Sequence, residues 1–421
     1  MTRNLLVTAA LGATLWAAPA GAETTLQLVE VITSPQRTEH LRGMIARFEE
    51  ANPDVKVDVT SLPWGQAFEK LATMVQGGQA PDVVEMPDRW MALYVNTGQL
   101  VDLEPYMAQW PETAKLTERT REFGSVAPGQ THMIPYGFYL RAMFWNRKLF
   151  EQAGVAEPPK TMDEFMAASE KISQLDGKYG YCLRGGPGAT NGYIMMMLNF
   201  LGENKYFDEE GNSTLNDPKA VQGLQFIVDM YQKRYVPEDS VNWGFNEIVA
   251  GFYSGTCAML DQDPDALIAI KERMDEADFA VAPMPLGPAG KSFPTIGYAG
   301  WSIFQSSEHQ DDAWKLVSHL SSPEMNLEWA KFVGVIPIYQ GAEQDPFFDK
   351  PQFEGWFTEL NDKRWEPTSM PTYLEEFGYF ADVTSIQTGQ EALLGQRTAE
   401  DVANEWAEYL TAAYQKWRDQ Q

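Results

Sequence analysis

The chain has 421 residues, with 32 Lys and Arg against 59 Asp and Glu, a formal charge of -27 at pH 7. A length of this order holds two or three packed units, and 44% hydrophobic with 12% aromatic content excludes both a disordered chain and a disulfide-stapled miniprotein. The acidity excludes nucleic acid as a partner, because phosphate backbones are bound through Lys and Arg.

Residues 1–22 combine Arg3, an apolar run from Leu5 through Ala18, and Ala20-Gly21-Ala22, the three parts of a secretory signal peptide, with cleavage expected after Ala22. No later stretch is apolar over a bilayer's length, and no Cys stands near the cleavage point to take a lipid. A periplasmic protein of a Gram-negative cell, without direct membrane insertion, is therefore expected.

The next segment repeats one unit. Leu26 to Ile32 alternates as a strand, and Leu41, Met44, Ile45 and Phe48 form the buried stripe of a helix stopped by Asn52-Pro53-Asp54. Val55, Val57 and Val59 alternate as a second strand. Phe68, Leu71, Ala72 and Val75 then return to helical spacing, closed by Gly77-Gly78. Asp82 to Met86 is a third strand, and Trp90, Leu93 and Tyr94 open a third helix ending near Gly98. Strand, helix and strand in units this short predict parallel strands with crossovers, a doubly wound α/β layer.

That layer locates a site, since ligands bind beyond the carboxyl ends of parallel strands. The loops so placed hold Thr33, Ser34 and Arg37, then Ser61 to Trp64, then Glu85 to Asp88. An aromatic plate, hydroxyls, carboxylates and a guanidinium on one edge suit a polyhydroxylated ligand. Taken singly, Trp64 is as readily core, and Glu85 and Asp88 are ordinary charges of a helix amino terminus.

Further on, Thr161 to Glu164 reads as a capping box opening a helix through Ile172, and Asp217-Pro218 opens another. Phe279 to Ala282 and Tyr298 to Phe304 read as strands, Asp311 to Leu320 and Pro323 to Val333 as helices. Val402, Trp406, Tyr409, Ala413 and Trp417 mark a closing helix from Thr398. Cys182 and Cys257 fall in the strand segments Tyr179 to Leu183 and Thr256 to Leu260. A disulfide needs those strands to be neighbours with a demanding geometry, so two buried free thiols are the expectation.

Several runs carry a family likeness: Phe48 to Val57, Gln79 to Val84, Ile134-Pro135-Tyr136 leading to Phe144 through Phe150, Pro158 to Phe165, Gly255 to Met259, Ala282 to Pro285, Leu320 to Glu324, and Gly334 to Pro337. In this order the chain resembles the periplasmic sugar-binding proteins of ABC importers, family 1 solute-binding proteins of the maltose-binding type. The resemblance implies a type II periplasmic-binding-protein-like α/β fold, with two lobes, each a doubly wound sheet flanked by helices, joined by a hinge. On this sequence the lobes would be 23–138 with 300–345, and 139–299 with 346–421. Crossing strands are expected at Tyr136 to Phe144 and Tyr298 to Phe304.

The resemblance further implies a mono- or disaccharide ligand, transmembrane permease subunits as partners, no cofactor and no catalysis. Asp88-Arg89-Trp90 looks like the step with which such receptors grip sugar hydroxyls, while Tyr139 falls where the family has a cleft-lining carboxylate. After Ala258-Met259 the family's Gly-x-Trp is replaced by Asp261-Gln262-Asp263-Pro264-Asp265, so Asp261 or Asp263 would meet hydroxyls. The second lobe's stacking aromatic must then come from Trp243, Tyr298, Trp301 or Tyr379.

Asp261, Asp263, Asp265 and Glu272 have calcium-loop spacing, but Ala266 stands where the turn needs Gly, and His40, His132, His309 and His319 are scattered, so no metal is expected. The alternatives are a receptor for a sugar alcohol or phosphorylated polyol, which Arg37, Arg89, Arg141 or Arg184 would meet, and a secreted glycoside hydrolase using Asp88 and Asp261.

Overall fold

Alternating apolar residues make Thr24–Glu30 the first strand, β1, with Leu26 and Leu28 fully buried. Ser34 then caps the helix Pro35–Ala51, its hydroxyl accepting from the Arg37 N–H, and Leu41, Met44, Ile45 and Phe48 go inward as their spacing predicts. The unit repeats through β2 (Val55–Ser61), the helix Trp64–Gln76, β3 (Val83–Pro87) and the helix Asp88–Asn96. β1 pairs in parallel with both β2 and β3. The computed structural model describes residues 24–126 and 129–420, so the expected signal peptide lies outside the described residues.

Two later strands complete this sheet. The expected strand across Tyr136 to Phe144 is in fact two, β4 (Ile134–Leu140) and β5 (Ala142–Asn146), in different sheets. β6 (Tyr179–Tyr181), β7 (Cys257–Gln262) and β8 (Phe279–Ala282) join β5 in the order β6-β7-β5-β8. β9 (Ile296–Ile303) returns to the first sheet, ordered β2-β1-β3-β9-β4, and runs antiparallel to both neighbours. The parallel layer thus holds for the first three strands only, and both sheets are mixed, since β5 is antiparallel to β7 and β8.

The chain passes between sheets at Arg141, and again just before Ile296. A third segment runs beside these, because Thr295 bridges Thr368 and Ser292 bridges Trp365. The Arg141 N–H donates to Thr295 O at 3.1 Å and the Ile296 N–H to Thr368 O at 2.9 Å, so the three segments form one narrow ribbon. Around the two sheets, helices at Met162–Ile172, Pro218–Gln232, Gln310–Leu320 and Pro323–Val333 match the expected spans closely. The helix Ala399–Asp419 buries Val402, Trp406, Leu410 and Ala413, with Trp406 against Tyr193 and Phe380.

The cysteines correct the sequence reading. Cys182 and Cys257 form a disulfide with Cα atoms 5.4 Å apart, because β6, which leads into Cys182, pairs with β7, which begins at Cys257. Among the described residues no helix is long and apolar enough to cross a membrane.

Candidate functional site

Loops that follow β1, β2 and β3 form one wall of a cavity of about 920 Å³, and residues from 184–191, 242–247 and 262–269 form the other. Parallel pairing of the three strands is what aligns the first set of loops on one edge.

On the first wall Trp64 opens its helix, half-buried, its ring stacked on Trp90 at 5.4 Å and 13°. Arg89 lies 5.5 Å from the Trp64 ring centre and donates to the Asn191 amide oxygen at 2.7 Å. Asp382 accepts from Arg89 at 3.4 Å and from the Trp90 indole at 2.7 Å. Asp88 begins its helix within reach of the backbone N–H groups of Arg89 (2.7 Å) and Tyr298 (3.4 Å). Burial nevertheless pushes its carboxyl up to about 6, against the opposing pull of Arg89.

Behind this wall sits a closed polar network. Glu85 accepts from the Val31 and Ile32 N–H groups, both at 2.8 Å, from Arg37 at 2.7 Å and from the Tyr136 hydroxyl at 2.6 Å. Arg37 spends its other nitrogen on Ile32 O at 2.5 Å, and the Tyr136 hydroxyl contacts that of Tyr139 at 2.8 Å. Arg37 borders the cavity with both terminal nitrogens already engaged.

The second wall carries Arg184, Asp263 and Asp265. Burial pushes the Asp265 carboxyl up to about 7, with repulsion from Asp263 adding to it. Asp263 is raised too, chiefly by burial, while Arg141 and Arg184 work against the rise. Arg184 is lowered to about 10 by burial and then by the nearby charge of Arg141.

Of the side chains singled out from sequence, Thr33, Ser34, Arg37, Trp64, Asp88, Arg89, Tyr139, Asp263 and Tyr298 border the cavity. Glu85, Trp243, Asp261, Trp301 and Tyr379 do not. Glu85 is turned inward to tie strand ends together. Asp261 is buried in contact with Arg141 and the Tyr181 hydroxyl because it lies within β7, whereas Asp263 follows the end of that strand at Gln262 and borders the cavity. Trp301 is only 1% exposed, packed against Tyr136 and Trp329. Trp243 packs half-buried on the core, and Tyr379 is 53% exposed off the cavity wall.

Among the described residues no tryptophan or tyrosine of the second wall borders the cavity; Tyr298 belongs to β9 and stacks on Phe123 at 4.5 Å. The aromatic side chain offered there is Phe245. Sequence reasoning passed over Asn191, Phe245 and Asp382, and named Asp265 only within an acidic run of calcium-loop spacing. Arg184 it named only as a partner for an anion. A signal for it existed: Arg184-Gly185-Gly186-Pro187-Gly188 directly follows β6, a glycine-rich loop at a strand's carboxyl end.

The family model described as bacterial extracellular solute-binding protein matches residues 34–327. A protein of Brucella abortus, whose name describes it only as a binding protein, is 27% identical over 88% of this chain and 88% of its own. The mannitol-binding protein of Pseudomonas aeruginosa is 29% identical over 58% of each chain. In fold, the chain is similar to an ABC transporter solute-binding protein from Thermotoga lettingae crystallised with α-D-tagatose, with a TM-score of 0.83, 22% identity, and coverage of 93% of this chain and 100% of that one. With two sheets, a cleft between them and a family match over most of its length, the chain belongs to the bacterial extracellular solute-binding proteins.

Proposed function

We propose that the chain is the periplasmic substrate-binding protein of an ABC importer. It takes a mono- or disaccharide, or a sugar alcohol, into the cleft and delivers it unaltered to transmembrane permease subunits. The observation that carries this reading is the cleft itself, whose walls offer Trp64, Asp88 and Arg89 on one side and Arg184, Asp263 and Asp265 on the other. Hydroxyls both donate and accept, and an aromatic face covers the apolar side of a sugar ring, so such walls suit polyhydroxylated ligands. Relatives named for mannitol binding, maltotriose binding and diacetylchitobiose binding support the same class.

We assign the lobes as the two sheets with their helices, exchanged at Arg141, again just before Ile296, and once more ahead of the helix Glu354–Asn361, which packs on β8. The first two exchanges lie within a few residues of the division at 138 and 300 that the family likeness implies. Ligand held by both walls shifts the population toward the closed form that the permease recognises.

The test is titration of the purified mature protein with a panel of sugars and polyols, followed by calorimetry and product analysis. Saturable binding with every probe recovered intact is expected. Turnover of a glycoside would establish the hydrolase, and a panel without binding would remove the receptor reading.

A further inference from the structure

The arginines around the cleft are not equivalent. Arg37 is paired with Glu85 at 2.7 Å, Arg89 with Asp382 at 3.4 Å, and Arg141 with Asp261. Each meets a carboxylate of the protein, so each positive charge is already balanced. Arg184 differs. It is 8% exposed, borders the cavity, and gives its Nε to the Pro187 carbonyl at 2.6 Å. Among the described residues it has no ion-pair partner, yet the charges of Asp263 and Asp265 both act on it. These groups are near enough to be felt and too far apart to pair.

The two carboxylates are equally unspent. Among the described residues, Asp265 Oδ1 is buried without a hydrogen-bond partner, and Asp263 receives only a long contact of 3.3 Å from Gln262. A buried guanidinium and buried carboxylates that border one cavity without pairing carry a solvation cost, which polar groups placed in the gap between them offset. A hydroxyl fills such a gap on both sides, accepting from the guanidinium and donating to a carboxylate. A phosphate would also meet Arg184, but it would stand beside Asp263, Asp265 and, across the cleft, Asp88, three carboxylates with no cationic side chain paired to them among the described residues.

We propose that Arg184, Asp263 and Asp265 form the specificity-determining set of the cleft, holding hydroxyl groups of an uncharged polyhydroxylated ligand between them and rejecting its phosphorylated counterpart. This rests on the receptor reading and goes further, because it chooses between the neutral and the anionic ligands that the sequence leaves open.

The test uses D-mannitol and maltose, each beside its monophosphate, titrated calorimetrically into the wild-type protein and into Arg184→Lys, Asp265→Asn and the double variant Asp263→Asn/Asp265→Asn. Arg184→Lys keeps the charge but loses the fork, and Asp265→Asn keeps the shape but loses the charge. Each should weaken the neutral probe about tenfold or more, with thermal melting no lower than that of the wild type. The double variant should bind the phosphorylated probe about tenfold more tightly than the wild type does, a gain that misfolding cannot produce.

If the wild type binds a neutral probe while the Arg184 and Asp265 variants stay within about twofold of it, this inference is overturned and the receptor reading stands. Wild-type binding of a monophosphate as tight as that of its neutral partner overturns it as well. Should the wild type bind none of the probes, this inference falls together with the receptor reading for these ligands.

Discussion

Trp64 shows how a single side chain can serve packing and binding together. One part of its ring rests on Trp90, and the rest borders the cavity beneath the Arg89 guanidinium. Replacing it by Ala should weaken sugar binding by about 2 kcal/mol, the scale of an aromatic hot spot, and calorimetry that finds unchanged affinity would remove Trp64 from the site. Asp88 makes a pH-dependent prediction. Its folded pKa, about 6, lies above the ordinary value of 3.8, so between these two the native state keeps a proton that the unfolded chain has released. Stability should therefore fall as pH rises through that window, by on the order of 3 kcal/mol from this group. Asp88→Asn should raise the melting temperature of the ligand-free protein clearly at pH 7 and much less near pH 4. An equal change at both pH values would show that the group titrates normally.

Between β6 and β7 a covalent tie sits next to the site. The Cys182–Cys257 bond joins residues 75 apart in sequence, two positions before Arg184 and four before Asp261, and both sulfurs are buried. Closing a loop of this length restricts the unfolded chain, and the double variant Cys182→Ala/Cys257→Ala should lose about 2–4 kcal/mol in urea unfolding. A midpoint equal to that of the oxidised wild type would mean that the bond adds nothing to stability. Close packing at β6 has its own requirement. Gly180 lies against the helix Met162–Ile172, where an added Cβ would meet the Ser169 Cα at 2.3 Å, so the strand can carry no side chain at that point. The π-helical turn Phe380–Thr384 has a comparable effect on its surroundings, since it carries the Asp382 that receives Arg89 and Trp90.

Across the whole molecule, contacts between the walls bear on closure. Arg89 reaches Asn191, Asp382 holds Arg89 and Trp90, and the Gln36 amide donates to Glu272 at 3.0 Å. These bonds join segments that a hinge motion at the Arg141 ribbon would separate. Asp382→Ala removes two of them without touching the cavity lining, so the ligand-free protein should spend more time open. Apparent affinity should fall about tenfold, because a smaller competent fraction lowers it in proportion, while small-angle scattering records a larger radius of gyration before ligand is added. Unchanged affinity and radius together would show that Asp382 has no part in closure.

Much of the first lobe was legible because its residues answer to local rules. The stripe Leu41, Met44, Ile45 and Phe48, the cap at Ser34, and the alternation of Val55, Val57 and Val59 report their own elements. Three such units in a row oblige the strands to run parallel and put their loops on one edge. The site was legible to the same depth: Trp64 and Asp88 follow from those loops, and Arg89 from the family likeness of Asp88-Arg89-Trp90. Which of two neighbouring acids faces the ligand was not. Asp261 and Asp263 are alike in chemistry and two positions apart, and only the end of β7 and the meeting of Asp261 with Arg141 and Tyr181 turn one inward and leave the other on the cleft. Cys182 and Cys257 are the same case, joined because β6 and β7 are partners, and so is Glu85, taken up by the backbone just beyond the end of β1. Periodicity along a chain records which face of an element is buried, whereas pairing between elements distant in sequence is decided by how the sheets assemble, and that leaves no mark on either segment alone.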